Sequence, residues 1–222
     1  LTGGSNVAVG YRALEDITTG TWGTAVGYQA GKNITTGNYN ALFGYNAGAT
    51  LDDDSNNTLI GFKAGESSVA SNTVAIGYET IKGNVTTGAN GTVAIGYAAL
   101  TALTSGAGNT AIGYEALKTV STGDMNTAIG DGALKLVTGQ YNVAVGYRAL
   151  DSADGGESNN IGIGTNVMGH INHDDSDHNI AIGDSALLGG TGTVTKNVAI
   201  GSNAMGTGVG NNDQTGTVAI GH

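Results

Sequence analysis

A phrase of the form Asn-Thr-Ala-Ile-Gly-Tyr, written in full at 109–114, returns with small substitutions from one end of the chain to the other. Aligned on its glycine it occurs thirteen times, at Gly10, Gly27, Gly44, Gly61, Gly77, Gly96, Gly113, Gly130, Gly146, Gly164, Gly183, Gly201 and Gly221, with spacings of 16 to 20 residues. A period of this size constrains the fold more than any local motif, because so short a unit cannot bury an apolar face alone and must stack on its neighbours.

Inside the unit the residue before the glycine is large and mostly β-branched, as at Val9, Phe43 and Ile112. The residue two before it is Ala in ten of thirteen copies, the exceptions being Leu42, Leu59 and Gly162. Alternation of large and small is the period of a strand with two distinct faces. Asn stands four before the glycine in nine copies, and Tyr or Phe follows it in eight. The remainder is turn-like, for example Ile-Thr-Thr-Gly at 34–37.

About seventeen residues accommodate two short strands and two turns, but no strand-plus-helix unit. Tyr-Glu-Ala-Leu-Lys at 114–118 contains helix formers, yet a run of five nucleates poorly and reads as an extended turn. The expected fold is all-β: a parallel β-solenoid or β-roll of about thirteen rungs of 16–20 residues, with 1–222 as a single repeat domain. Rungs spaced by ~4.8 Å would stack to about 60 Å. The glycine column then requires positive φ or close backbone approach at a corner. The Asn column is expected to form a hydrogen-bonded ladder. The column of Ile112 is expected to be buried, and the Ala column to face the opposite wall of the coil or another chain.

Composition closes off several function classes. The 40 glycines are accompanied by 39% apolar residues, 12% charged residues and no proline, which is unlike a disordered chain. A net charge of −10 with only eight Lys and Arg argues against nucleic acid and anionic membrane as partners. No apolar run reaches the length of a membrane-spanning helix, so no membrane insertion is expected. The absence of Cys removes disulfides and thiolate metal sites.

Asn-Thr-Val-Ala-Ile-Gly-Tyr at 72–78, Gly-Thr-Val-Ala-Ile-Gly-Tyr at 91–97 and Lys-Asn-Val-Ala-Ile-Gly-Ser at 196–202 resemble the head repeats of trimeric autotransporter adhesins. The longer form, Asn-Thr-Ala-Ile-Gly-Tyr-Glu-Ala-Leu at 109–117, resembles repeats of bacteriophage tail-fibre proteins. The resemblance extends over the whole chain and implies a left-handed β-roll associated as a homotrimer. It further implies an extracellular fibre, on a virion tail or a cell surface, that contacts a host or cell-surface glycan or protein. A thin roll gains from burying one face against symmetry mates, and the Ala face is expected to serve. The chain is expected to be a segment of a longer fibre. A phage tail-fibre shaft or head is the first reading and a bacterial adhesin head the second. A polysaccharide-cleaving spike and an ice-binding solenoid are more distant alternatives, because no carboxylate pair stands out and Thr recurs in adjacent pairs within turns.

Four groups of residues stand out from the scaffold. The Tyr column, Tyr11, Tyr28, Tyr45, Tyr78, Tyr97, Tyr114 and Tyr147 with Phe62 in register, is expected to be a stacked packing device. Trp22, Tyr39 and Tyr141, five before their glycines, form a sparser set at a turn and are the expected glycan or host contacts. His170, His173 and His178 lie beside Asp174, Asp175 and Asp177 in a lengthened rung, which reads as a solvated insertion rather than a metal site. Leu51 to Asn57, with three consecutive Asp, reads as an exposed acidic turn lacking the glycine and distal Glu of a calcium loop. No metal, no cofactor and no catalytic residue is expected.

Overall fold

The structure is a computed structural model that describes residues 3–68, 70–152, 155–171, 175–189, 192–206 and 213–221. The chain divides into two compact units, Leu1–Asn109 and Thr110–His222. Each is a stack of coils with parallel strands, a β-solenoid.

In the first unit the strands are β1 (Val7–Val9), β2 (Thr24–Val26), β3 (Ala41–Phe43), β4 (Thr58–Ile60), β5 (Val74–Ile76) and β6 (Val93–Ile95). Each pairs in parallel with the next in chain order, and the register matches phrase to phrase: Ala8 pairs with Ala25, Leu42 with Leu59 and Ala75 with Ala94. A 3-10 turn, Thr87–Ala89, sits in the connection before β6.

The second unit repeats the plan with β7 (Thr110–Ile112), β8 (Thr127–Ile129), β9 (Val143–Val145), β10 (Ile161–Ile163), β11 (Ile180–Ile182), β12 (Val194–Thr195), β13 (Val198–Ile200), β14 (Gln214–Thr215) and β15 (Val218–Ile220). Here β12 pairs with β14 as a small second sheet, and the other strands run parallel in order. Among the described residues, two strands per rung therefore form only at β12–β14. Most described rungs carry one three-residue strand, and turns complete the circuit.

The strand faces correct the expected inside and outside. In β2, β5, β6, β7, β9 and β13 the middle residue is buried and its neighbours are half-exposed. Ala111 is fully buried, whereas Ile112 is only half-buried and turned outward, so its column is not the buried one. The reason is volume. A coil closed by so short a circuit has room near its strand for Ala, and strand alternation then sends the branched residues to the opposite face. The small-residue face lies inside the coil and is no surface for a symmetry mate.

The three exceptions to Ala obey the same volume rule. Where Leu42 and Leu59 replace Ala, Gly31, Gly48 and Gly65 stand four after the glycine, and a Cβ at Gly65 would lie 2.9 Å from Leu59 Cδ1. Where Leu150 fills the interior, Gly162 gives way, because its Cβ would lie 2.5 Å from Leu150 Cδ1. In the remaining rungs Ala111, Ala128 and Ala144 are matched by Leu117, Leu134 and Leu150, all fully buried. One large side chain per level fills the core.

Two columns join rung to rung. The phrase glycine has φ between 128 and 144° in all its copies, a region essentially closed to side chains. A Cβ on Gly27 or Gly44 would also collide with the backbone of the next glycine in the column, so both expected reasons for glycine apply. The Asn column is a ladder with a defined bond pattern. Asn142 Oδ1 accepts from Asn160 N at 3.0 Å, while its Nδ2 donates to Glu157 O at 2.8 Å. Asn160 and Asn179 repeat both bonds to their own next rungs. Each buried amide thus satisfies two backbone groups that no strand reaches.

The segment after the glycine is a turn with alternating hand, not a helix. Arg12 and Leu14 have φ of 56 and 49°, and the equivalent residues Glu115 and Leu117 have 53 and 50°. Their N–H groups serve opposite neighbours: Gln29 N donates back to Tyr11 O at 2.8 Å, and Leu14 N donates onward to Ala30 O at 3.1 Å. Inter-rung bonds hold side-chain-bearing residues in a left-handed conformation that local sterics disfavour.

Candidate functional site

Because the interior is fully used by packing, function has to be sought on the outward columns. The strand face presents Val9, Phe43, Ile60, Ile129, Ile163 and Ile182, each at least 38% exposed. Beside this face in the first unit runs the aromatic column. Tyr11, Tyr28, Tyr45, Phe62, Tyr78 and Tyr97 stack face to face with centroids 5.1–5.2 Å apart and interplanar angles of 5–20°. The spacing matches the inter-rung distance, so the expected ladder forms where every rung supplies a ring. In the second unit Asp131 stands between Tyr114 and Tyr147 in sequence register, and Asp184 and Ser202 follow in the same column.

Trp22 and Tyr39 stack at 5.0 Å and 7°, and both are more than half exposed, at 57% and 55%. Tyr141, in the second unit, is 51% exposed. All three are held at φ of 54 to 61°. Other rungs fill this position with Asn56, Asn72 and Asn159, with Gly91, Gly108 and Gly216, or with Ser5, Met125, His178 and Lys196, all at positive φ. The left-handed conformation is thus a property of the position rather than of its occupant, and Trp22, Tyr39 and Tyr141 are set apart by the exposed rings they place there.

A third feature runs along the left-handed turn, where the residues two and five after the glycine face each other. Opposite charges pair across the turn at Arg12–Glu15, Lys63–Glu66 (3.1 Å), Glu79–Lys82 (2.9 Å), Glu115–Lys118 (2.7 Å) and Arg148–Asp151 (3.6 Å). Glu115 also bonds Lys135 of the next rung at 2.7 Å, and its two lysines hold its pKa below the ordinary carboxylate value. In the rung of Gly164 the facing pair is Asn166 and Gly169, and the charge column stops. A notch of about 300 Å3 opens there.

The remaining sequence candidates divide. His170 is exposed at the edge of that notch, and His178 is exposed at φ 62°. His173 and Asp174 lie outside the described residues. Asp177 Oδ1 accepts from Ser158 N at 2.6 Å, an inter-rung contact. Among the described residues no group of three His, Cys, Asp or Glu side chains is placed to hold a metal ion. The acidic turn is only partly exposed: Asp52 and Asp53 face solvent, Leu51 is core, and Asp54 is 7% exposed. Asp54 occupies the inward column that holds Gly37, Ala70 and Ala89 in neighbouring rungs, and burial, followed by repulsion from Asp53, pushes its pKa up.

Sequence reasoning read His170 as part of a solvated insertion and missed Arg148, Asp151 and Asn166. The available signal was Gly169, a glycine at a position that is charged in most rungs. No family model matches the chain, and no curated protein or solved structure matches it either.

Proposed function

We propose that this chain is a non-enzymatic segment of an extracellular fibre that assembles as a homotrimer and carries contacts for a host surface. A phage tail-fibre shaft or head is the preferred setting, and the head of a bacterial trimeric surface adhesin is its rival. The observation that carries the reading is the outward strand face. In the first unit alone it continues through six rungs, about 24 Å at the 4.8 Å strand spacing. With the adjoining aromatic ladder it makes a contiguous exposed apolar stripe, the kind of surface that marks an interaction site. A second copy supplies the same columns at the same repeat, so closed rotational symmetry matches face to face within each unit. The number three comes from the resemblance of the repeats. Trp22, Tyr39 and Tyr141 supply the contact role, since exposed rings offer flat apolar faces with a polar edge to a glycan.

Light scattering at micromolar concentration is expected to give three times the chain mass, and a monomer overturns the assembly. Ile129→Asp, on the outward face, is expected to release folded monomers, because the charge meets water in the monomer and a dry interface in the trimer. Purified fibre is expected to bind host cells and to leave their polysaccharide uncut, so release of reducing sugar ends is the result that contradicts the non-enzymatic part. Immunolabelling then separates the two settings, with label on virion tails for one and on the bacterial envelope for the other.

A further inference from the structure

The Asn166–Gly169 pair recurs as Asn203 and Gly206, but at the notch it lies between a charged rung and a rung of Ser185 and Leu188, and this construction specifies a ligand. Three successive rungs form it. Arg148, Asn166 and Ser185 occupy the position two after the glycine, all with left-handed φ of 48 to 52°. Asp151, Gly169 and Leu188 occupy the facing position. In the middle rung Asn166 faces no side chain, so the Arg148–Asp151 pair becomes one wall and Ser185 with Leu188 the other. Ser152 and His170 stand at the rim.

Ser152 Oγ donates to Asp151 Oδ1 at 3.2 Å, and the other polar groups around this space are underused. Arg148 lies 3.6 Å from Asp151 and packs over the Tyr147 ring at 5.5 Å, which leaves most of its guanidinium donors open. The Asn166, Ser185 and His170 side chains make no hydrogen bond among the described residues. One cation and one anion leave the lining without net formal charge. An anionic ligand would meet Asp151, and a cation would meet Arg148. A neutral molecule whose hydroxyls each donate and accept satisfies both walls, and Leu188 offers an apolar patch for a C–H face. The volume of about 300 Å3 is at the small end of small-ligand sites and suits a single ring.

We propose that the notch between Arg148 and Leu188 binds one uncharged hexose unit of a surface polysaccharide. Arg148 and Asp151 bridge vicinal hydroxyls, Asn166 reads a further hydroxyl from the floor, and Gly169 is the residue whose missing side chain makes the space. The proposal deepens the adhesive part of the fibre reading and relies on it only for the source of the sugar.

The test uses the full chain with methyl α-glucoside, methyl α-galactoside and methyl α-mannoside as probes and methyl glucuronide as the charged control. Saturation-transfer NMR is expected to show at least one neutral glycoside binding saturably, with Kd about millimolar as befits so small a ligand. Gly169→Lys restores the residue type found at Lys32, Lys82, Lys118 and Lys135 of other rungs. A Cβ there lies 3.6 Å from Leu188 Cδ2 and 3.1 Å from Asn166 O, a tight contact that needs a shift of a few tenths of an ångström, so melting curves recorded beside binding show that the variant keeps the fold. It is expected to weaken binding at least about tenfold, and Asn166→Ala to do the same without filling the space. The proposal is overturned if none of the three neutral probes binds, if glucuronide binds in preference, or if Gly169→Lys binds as the parent does. A trimer that adheres to cells while Gly169→Lys changes nothing removes the notch and keeps the fibre. A monomer whose notch binds the sugar does the reverse.

Discussion

The two units share one rung and differ in where their side-chain ladder lies. In the first, rings stack without a break from Tyr11 to Tyr97 on the outside, while the interior Asn column is interrupted by Gly23, Thr73 and Thr92. In the second, the Asn ladder runs unbroken from Asn126 to Asn197 inside, and the aromatic column is interrupted by Asp131. Both ladders exploit the same fact, that identical side chains at the inter-rung spacing satisfy one another, apolar faces outside and amides inside. A solenoid of this kind needs its glycine column and its core volume at every level, and the remaining columns can be exchanged between duties.

That comparison is tested most severely at what the units have in common. Gly44→Ala in the first unit and Gly146→Ala in the second should each cost about 4 kcal/mol or more, since a disfavoured φ adds to a backbone collision with the next rung. Chemical denaturation reads the loss. A mild effect in either unit would show that its glycine column is dispensable and that the shared rung is not what holds it. Core volume comes next. Leu59→Ala alone should cost about 2–5 kcal/mol, and the double variant with Gly65→Leu should recover most of it. The double variant rebuilds the Ala-and-Leu pairing of the second unit, and Leu14 and Leu100 already adopt the φ that Gly65 uses. Failure to recover would mean that the two packing solutions belong to their units and cannot be exchanged.

A smaller effect separates the interior ladders. Asn142→Ala strips a partner from Asn160 N and from Glu157 O, both in the buried interior, and should cost about 2–4 kcal/mol. Asn57→Ala strips only Thr73 N, because Asn57 Nδ2 has no partner among the described residues, and should cost about 1–2 kcal/mol. Hydrogen exchange at the amides of Asn160 and Thr73 reports the two sites separately. Equal losses would erase the proposed division of labour between the units.

These sites also show what can be read from a repeat. The glycine column, the strand phase, the Asn ladder and the ring stack all follow from counting, because stacking turns a recurring letter into a spatial column. The inward face of the strand does not follow. Alternation distinguishes two faces of β7, but Ile112 looks like core by hydrophobicity alone. Its outward position is decided by the small volume beside the strand, which Leu42 with Gly48 and Leu150 with Gly162 register as paired exceptions. The notch was still less legible, since it arises from a side chain that Gly169 lacks, between residues contributed by three rungs. Trp22 and Tyr39 stand out as irregular letters, yet the left-handed backbone that makes them costly is visible only in the fold.

The finest distinction between the units is in their response to pH, where two carboxylates act in opposite directions. Asp54 in the first unit is buried in the inward column, and its pKa is raised above the ordinary 3.8. The folded state therefore binds a proton more readily than the unfolded one, so Asp54 lowers stability as pH rises through that window and continues to do so at neutrality. Asp54→Ala, which copies Ala70 and Ala89, should raise the melting temperature at pH 7 and lose its advantage below about pH 4, where the acid is protonated in both states. Glu115 in the second unit is held below its ordinary 4.5 by Lys118 and Lys135. Its contribution is present above that value and disappears as pH falls through the lowered folded pKa. Glu115→Gln should therefore cost up to about 1 kcal/mol at pH 7, modest because both lysines are well exposed to solvent, and nothing in strong acid. Melting curves of the two variants and the parent from pH 2 to 7 should diverge in opposite directions from a common acidic limit. If both variants shift the same way at neutral pH, one of these two carboxylates has been assigned the wrong role, and the curve that fails to converge in acid identifies it.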